Sequence, residues 1–412
     1  MNPGRLFAAL LLGGSMLTAQ PQPERLRLDD LIVEAQQRNL EVLAAQNRYE
    51  AARQRPRQES SLPAPLFSPA YSSNGNPWPF VGVGTWQTSY VGAMVSQEFP
   101  FPGKRKLRGE IAVKEAQAEF QEYERIRLSV ISRLKRAYYQ LHYAYAALEV
   151  LTRNRELLRQ LRRSSEVFFF SGQAAQQAQL ALLEARILRM EQEKRSREAE
   201  INSVLNRAPD SPLAPPADLE PPKLPLTLDE LFASARQNAP LLRREQNMLE
   251  RAKLAVSLAR RDYYPDYTIS AGYFNMGRMP DMYQLRIDFK LPAFFWRKQR
   301  SAVTEQVCSL SEARHNYEAA DRELRFHLQN EYLRVETSSR LMKMYADTVL
   351  PQAHQALESY VAAYEAGAAD FVAVQMTLMA AVESELGYHE EQLNLYSALI
   401  RLEEITGLSL AN

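Results

Sequence analysis

Residues Leu28–Gln37 recur as Leu228–Gln237, and the correspondence continues through most of the chain. At a gapless offset of 200 positions Leu31 meets Leu231, Ala35 meets Ala235, Gln46-Asn47 meets Gln246-Asn247, Glu50 meets Glu250 and Pro65 meets Pro265. With small offset changes Pro100 then pairs with Pro292, Arg105-Lys106 with Arg297-Lys298, Arg108 with Arg300, Tyr123-Glu124 with Tyr317-Glu318 and Gly172 with Gly367. A tandem duplication obliges each copy to build the same elements in the same order.

Glycine and proline set the second constraint. Neither occurs from Glu110 to Ser171, from Gln173 to Ala208 or from Ala293 to Leu350. A helix over the first stretch would be roughly 90 Å long, far beyond the helices of a compact enzyme. Leu134, Leu141 and Leu148 are spaced by seven, as are Tyr138 and Tyr145; Leu183, Met190 and Val204, and Leu386, Leu393 and Ile400, fall on the same spacing. The heptads predict coiled-coil packing of helices that run out and return, with Ser171-Gly172 and Ala366-Gly367 as the turns.

Residues 1–19 read as a secretory signal: Arg5, an apolar run from Leu6 to Leu12, then small residues up to Ala19. The run is too short to span a membrane, and Cys308, the sole cysteine, follows no signal and forms no internal disulfide. The first repeat occupies 20–206, with a helix, a β-hairpin about 66–99 and a long helical hairpin 103–206. A linker, 207–227, carries seven prolines and reads as extended and exposed. The second repeat, 228–412, places its β-hairpin about 266–291 and its helical hairpin at 296–408. Asp29-Asp30 and Asp229-Glu230 open the first helix of each copy, and Pro65 and Pro265 end it.

Tyr283, Leu285, Ile287, Phe289 and Leu291 alternate with Gln284, Arg286, Asp288 and Lys290, and Tyr267, Ile269, Ala271 and Tyr273 alternate with Thr268, Ser270 and Gly272. Such faces suit either a soluble core or the lipid side of an outer-membrane barrel. Trp86, Tyr90, Tyr267, Tyr273 and Tyr283 are candidates for an aromatic girdle; the first copy has its second strand near Trp86 to Phe99. Four strands cannot close a barrel, whereas three chains supply about twelve. Pro100, Pro102 and Pro292, where strand gives way to helix, and Pro65 and Pro265, where helix gives way to strand, fix φ at changes of direction.

Charge and motifs exclude several function classes. Fifty Lys+Arg against 49 Asp+Glu leaves no basic excess for nucleic acid. Lys104-Arg105-Lys106 and Arg297-Lys298-Arg300 are local clusters expected at a membrane edge, in reach of anionic lipid headgroups. No GxSxG, Walker, GxGxxG, HExxH or CxxC motif occurs, so neither an enzyme nor a cofactor is expected. Met276, Met279 and Met282 recur every third residue in the second hairpin's turn and form a weak soft-metal candidate. His142, His315, His327, His354 and His389 are scattered, without metal-ligand spacing.

Signal, repeat, proline-rich connector, two β-hairpins and two long helical hairpins, in that order, resemble the outer membrane factor family, the TolC-like channels of tripartite efflux pumps. The resemblance covers essentially the whole mature chain. It implies a fold that is mainly α with a small membrane β part: a homotrimer whose α-barrel is continuous with a 12-stranded β-barrel in the outer membrane of a Gram-negative bacterium. It also implies a periplasmic membrane-fusion adaptor and an inner-membrane pump, of the resistance-nodulation-division type, as partners. Phe99-Pro-Phe-Pro-Gly-Lys-Arg105 looks like the heavy-metal (CzcC/CusC-like) branch, with drug efflux or type I protein secretion as alternative cargo routes. Adaptor docking falls on Ser171, Gly172, Gln173, Ala366, Gly367 and Ala368. The periplasmic gate falls on Asp370, Phe371, Ala373 and Met376; the family often has acids where Ala373 and Met376 stand, so closure is left to packing around Phe371, Val372 and Met376. A reading of another class is a soluble periplasmic coiled-coil scaffold.

Overall fold

The computed structural model describes residues 25–74, 78, 80–165, 173–217, 219 and 227–408. The segment expected to be a signal, Ser171, Gly172 and most of the linker beyond Ala217 lie outside the described residues.

Each repeat opens with two helices where the sequence predicted one. α1 (Leu28–Arg38) and α2 (Leu40–Ser60) part at Asn39, and α5 (Leu228–Asn238) and α6 (Pro240–Arg261) part at Ala239. At Asn39 the backbone leaves the helical region, and the side-chain oxygen accepts from the N–H groups of Glu41 (2.9 Å) and Val42 (3.2 Å), capping α2. Its amide nitrogen donates to the Val204 carbonyl at 2.8 Å, locking this break to the returning helix. Ala239 cannot cap, and Pro240 at the first helical position, whose amide would have been unsatisfied anyway, restarts the helix instead. Asn39→Ala is expected to destabilise the protein by about 1–2 kcal/mol, since it removes a cap and leaves a buried carbonyl unpaired. A fall in the thermal unfolding midpoint measures this.

The duplication persists in packing. Leu31 and Leu231, Ala35 and Ala235, Val42 and Leu242, and Ala52 and Ala252 are buried alike. After α2 the chain forms β1 (Leu66–Ser72) and β2 (Tyr90–Phe99); after α6 it forms β3 (Asp266–Asn275) and β4 (Met282–Lys290). Helices α2 and α6 stop four or five residues before Pro65 and Pro265; each of these prolines instead stands directly before a strand. The strands make one antiparallel sheet in the order β1-β2-β3-β4, so the two hairpins join through β2 and β3.

Long helices leave the sheet in one direction. α3 (Lys104–Ser165) has 62 residues, about 93 Å at 1.5 Å per residue, and α4 (Gln173–Val204) returns beside it. In the second repeat α7 (Lys298–Met344) passes through a π-helical turn, Tyr345–Val349, into α8 (Leu350–Glu365), and α9 (Phe371–Thr406) returns. The unforeseen π turn has a local cause in Pro351. The proline lacks an amide donor and its ring would strike the carbonyl four residues earlier, so the widened turn directs the Leu350 N–H to the Tyr345 carbonyl instead. No helix among the described residues is long and apolar enough to cross a membrane.

Three apolar clusters hold the helices together. One joins α1–α4 and α9 around Leu134, Leu141, Ile201 and Ile400; a second joins α5–α7 and α9 around Leu231, Leu328 and Leu399; a third, toward the far end, holds Leu151, Leu158, Leu183 and Leu378. The heptad residues Leu134, Leu141, Leu183, Val204 and Ile400 are buried in these seams. Part of the linker is packed where the sequence predicted it exposed: Leu26 bridges Pro216 in parallel, Pro216 is buried, and Leu213 and Leu219 lie on the first cluster.

Candidate functional site

The alternation of each strand, combined with the register, sorts the sheet into two faces. Opposite one another lie Tyr267 and Phe289, Ile269 and Ile287, Ala271 and Leu285, and Tyr273 and Tyr283, continued in β2 by Phe99, Gln97, Val95 and Ala93 and in β1 by Phe67 and Pro69. Gln97 is the one polar interruption between these rows, and it spends its amide on the carbonyls of Pro63 and Glu98; Asn275, opposite Val91, ends the apolar stretch. Tyr283 and Leu285 are 78% and 75% exposed, with Ile287, Phe289 and Leu291 exposed beside them. A patch this continuous, left open by every described helix, calls for an apolar neighbour. The other face carries Ser96 and Ser270, whose hydroxyls are 2.9 Å apart, the Arg286–Asp288 pair at 2.8 Å, and Glu98, Thr268 and Lys290. β2, β3 and β4, of ten, ten and nine residues, have the length of membrane strands.

Aromatic rings mark both ends of the apolar face. Phe99 stacks on Tyr267 (5.4 Å between centroids) with Phe289 next in line, and the exposed Phe294, Phe295 and Trp296 follow just past β4; Tyr273 and Tyr283 pair at 5.5 Å at the other end. Two girdle candidates lie off the strands' apolar face. β2 begins at Tyr90, whose ring lies on the polar face edge-on to Phe274, and Trp86 lies in the preceding loop. The exposed run Phe294-Phe295-Trp296 before Arg297 is a further aromatic cluster, which the sequence reading did not single out.

Where β2 becomes α3, the first repeat is tied to the second. The Phe101 N–H and the Lys104 ammonium both donate to one carboxylate oxygen of Asp266, at 2.7 and 2.9 Å; Lys104 also donates to the Tyr264 carbonyl at 3.0 Å and pairs with Asp262 at 3.3 Å. Lys104 is 3% exposed. It therefore braces the junction and does not face lipid headgroups as its place in the basic cluster predicted; Lys106, Arg297, Lys298 and Arg300 are the exposed cations there. Phe101 stacks on Tyr264 at 4.5 Å, and Arg261 donates to the Pro102 carbonyl at 2.6 Å. Gly103 has φ +90°, a left-handed conformation that glycine adopts without strain, and a Cβ there would fall 2.1 Å from the Arg261 guanidinium and displace it from the turn. Pro100 is buried in this junction and Pro292 stands two residues after β4.

At the opposite end, α8 and α9 meet in a turn at Ala366, Gly367 and Ala368. Gly367 has φ +73° with open space around its Cβ position, and Ala368 N–H returns to the Ala363 carbonyl at 2.8 Å. Asp370 serves as N-cap of α9, accepting from Ala373 N–H at 2.9 Å, and Phe371 meets Tyr364 edge-on at 6.1 Å. Val374 and Leu378 face inward, while Val372 and Met376 are exposed one helical turn apart. Gln173 begins α4; its counterpart turn residues Ser171 and Gly172 lie outside the described residues.

Met276 and Met279 occupy the β3–β4 turn, whereas Met282 opens β4 opposite Phe274. His354 lies 3.1 Å from Glu385, which also pairs with Arg153, and His327 lies 3.5 Å from Glu323. Among the described residues no three His, Cys, Asp or Glu side chains converge as a metal site would require.

Comparison with known proteins adds the family. The model of the outer membrane efflux protein family matches residues 31–206 and again 231–408. No curated protein matches in sequence. Among solved structures the chain is similar to the outer membrane protein VceC from Vibrio cholerae (17% identity, 93% of this chain and 96% of that one, TM-score 0.76). It is similar to the open state of the MtrE outer membrane channel of Neisseria gonorrhoeae (17%, 93% and 90%, TM-score 0.76) and to CusC (15%, 91% of each, TM-score 0.72).

Proposed function

The chain belongs to the outer membrane efflux protein family, and on that premise we propose that three copies form one passive exit duct across the outer membrane and the periplasm. Proteins of this family are channels and not enzymes, they reside in the outer membrane, and they work as trimers with an adaptor and an inner-membrane pump. For this chain the reading is carried by the sheet: one face is apolar from the Phe99–Tyr267–Phe289 row to the Tyr273–Tyr283 row but for Gln97, the other bears Ser96, Glu98, Thr268, Ser270, Arg286, Asp288 and Lys290, and among the described residues no strand lies on the outer edge of β1 or β4. Unpaired edges cannot stand in lipid, and three four-stranded sheets joined edge to edge close into twelve strands with the apolar face outward. The soluble-scaffold reading leaves that exposed apolar face without a neighbour.

In this reading α3/α4 and α7–α9 form the periplasmic barrel. Ser171, Gly172 and Gln173, the first two outside the described residues, and the turn Ala366-Gly367-Ala368 meet the adaptor, and the small side chains of the latter turn permit close approach. Asp370 holds the start of α9 and leaves closure of the tip to Val372 and Met376, with Phe371 and Ala373 packed behind. The pump is of the resistance-nodulation-division type and the cargo heavy-metal cations, on the strength of Phe99–Arg105; Met276, Met279 and Met282 are a minor candidate for contact with soft cations at the mouth. A drug or polypeptide cargo would use the same duct.

Single-channel recording in planar bilayers tests the duct. Trimers carrying Val372→Ser and Met376→Ser are expected to conduct in steps and to be open more of the time than the unaltered protein. Silence of both would contradict the reading.

A further inference from the structure

The β1–β2 loop presents an apolar surface of its own. Trp78 and Phe80 are 72% and 69% exposed, and Val81 and Trp86 are exposed beside them. Phe80 has φ +68°, a left-handed conformation that a bulky side chain rarely adopts, so the backbone is strained in the form that shows the ring.

The hydrogen bonds of this loop locate it on one side of the sheet. The Tyr71 hydroxyl donates to the Trp78 carbonyl, and Ser73 Oγ donates to the Val81 carbonyl at 3.0 Å. Gly82 packs so closely that a Cβ would lie 3.2 Å from Ser89 Oγ and 3.5 Å from Ser73 Oγ, and Ser89 is fully covered. Tyr71 shares the face of Phe67, Val95, Tyr273 and Tyr283; Ser73 and Ser89 continue the same alternation just past the Ser72–Tyr90 pair. All three anchor points therefore lie on the apolar, outward side. The Tyr71–Val91–Asn275 row is two residues beyond the Tyr273–Tyr283 row, roughly 7 Å further along the strands. The second hairpin holds the loop as well: a Cβ on Gly277 would come within 2.7 Å of the Gly84 Cα and N.

We propose that this loop is a lipid-interface anchor, which seats Trp78, Phe80 and Trp86 in the outer leaflet of the membrane just beyond the Tyr273–Tyr283 row. The inference rests on the outer-membrane duct reading. Its occupant follows from continuity: the loop extends the lipid-facing surface at the level where amphipathic aromatic rings partition to headgroups. Its fixed attachment to both hairpins makes it a rim of the barrel wall.

The test uses full-length trimers reconstituted in phosphatidylcholine vesicles with brominated acyl chains. W296F leaves Trp78 and Trp86 as the only tryptophans; a second protein, W78F/W86F/W296F with Leu285→Trp, reports the middle of β4. In the first protein a blue-shifted emission that loses most of its intensity to shallowly brominated lipid, and little to aqueous acrylamide, is the expected result. Acrylamide quenching without lipid quenching would overturn the proposal in favour of a solvent-exposed loop, and quenching by neither would overturn it in favour of contact with a second copy. In both of those cases deep lipid quenching of the Leu285→Trp reporter keeps the barrel reading intact. Failure of that reporter as well overturns both.

Discussion

Leu285→Arg with Ile287→Arg is expected to abolish assembly in the outer membrane, whereas Gln284→Arg, one residue away, leaves it nearly unchanged. Leu285 and Ile287 sit in the middle of the exposed apolar stripe of β4, opposite Ala271 and Ile269. An arginine on the lipid face near the midplane costs about 2–4 kcal/mol. Two per chain, repeated in three chains, cost about 12–24 kcal/mol, as much as or more than an ordinary folding margin of about 5–15 kcal/mol. Gln284 lies on the face shared with Ser270, Arg286 and Asp288, which the duct reading turns to water. The amount of heat-modifiable trimer in outer-membrane fractions measures the contrast. Equal tolerance of both substitutions would show that the stripe does not meet lipid.

Lys104→Met is expected to lower the dissociation temperature of the trimer sharply. The ammonium is nearly inaccessible and serves Asp266, Asp262 and the Tyr264 carbonyl together. Removing the ammonium costs about 1–3 kcal/mol, because Asp266, 18% exposed, keeps its desolvation cost and loses its cation, whereas Asp262, 48% exposed, is rehydrated. Asp266→Asn added to Lys104→Met is expected to recover part of the loss, the non-additivity that marks direct coupling. Purely additive losses, read by thermal dissociation on gels, would remove the brace between the repeats from the account.

Much of this architecture was legible because it is periodic. The 200-residue recurrence reappears in matched burial of Leu31 and Leu231 or Ala35 and Ala235, and the heptad residues Leu134, Leu141 and Ile400 do fill seams. The alternation in β4 placed Tyr283 to Leu291 on one face before any neighbour was known. What escaped depends on single contacts across long separations in sequence. Lys104 looks like any basic residue of an interfacial cluster until Asp266, in the other repeat, is brought to 2.9 Å. Tyr90, a girdle candidate, falls on the face opposite Phe99 because an odd number of positions separates the two along one strand, and it packs on Phe274. The break at Asn39 and the π turn before Pro351 are one-residue effects of capping and of a missing amide, which a period averaged over several turns cannot register.

Cargo is the least legible part. A passive duct exposes few determinants of what passes, and Phe99–Arg105 is placed by the fold at a structural junction, where Pro100, Pro102 and Gly103 have backbone reasons to be present.

The central claim, a trimeric duct in the outer membrane, is tested most directly by expressing the full 412-residue chain in a Gram-negative host, separating the membranes and running the outer-membrane fraction with and without heating. The account predicts a band at three times the monomer mass that collapses to the monomer on boiling. A monomer recovered from the soluble periplasm without detergent would contradict it.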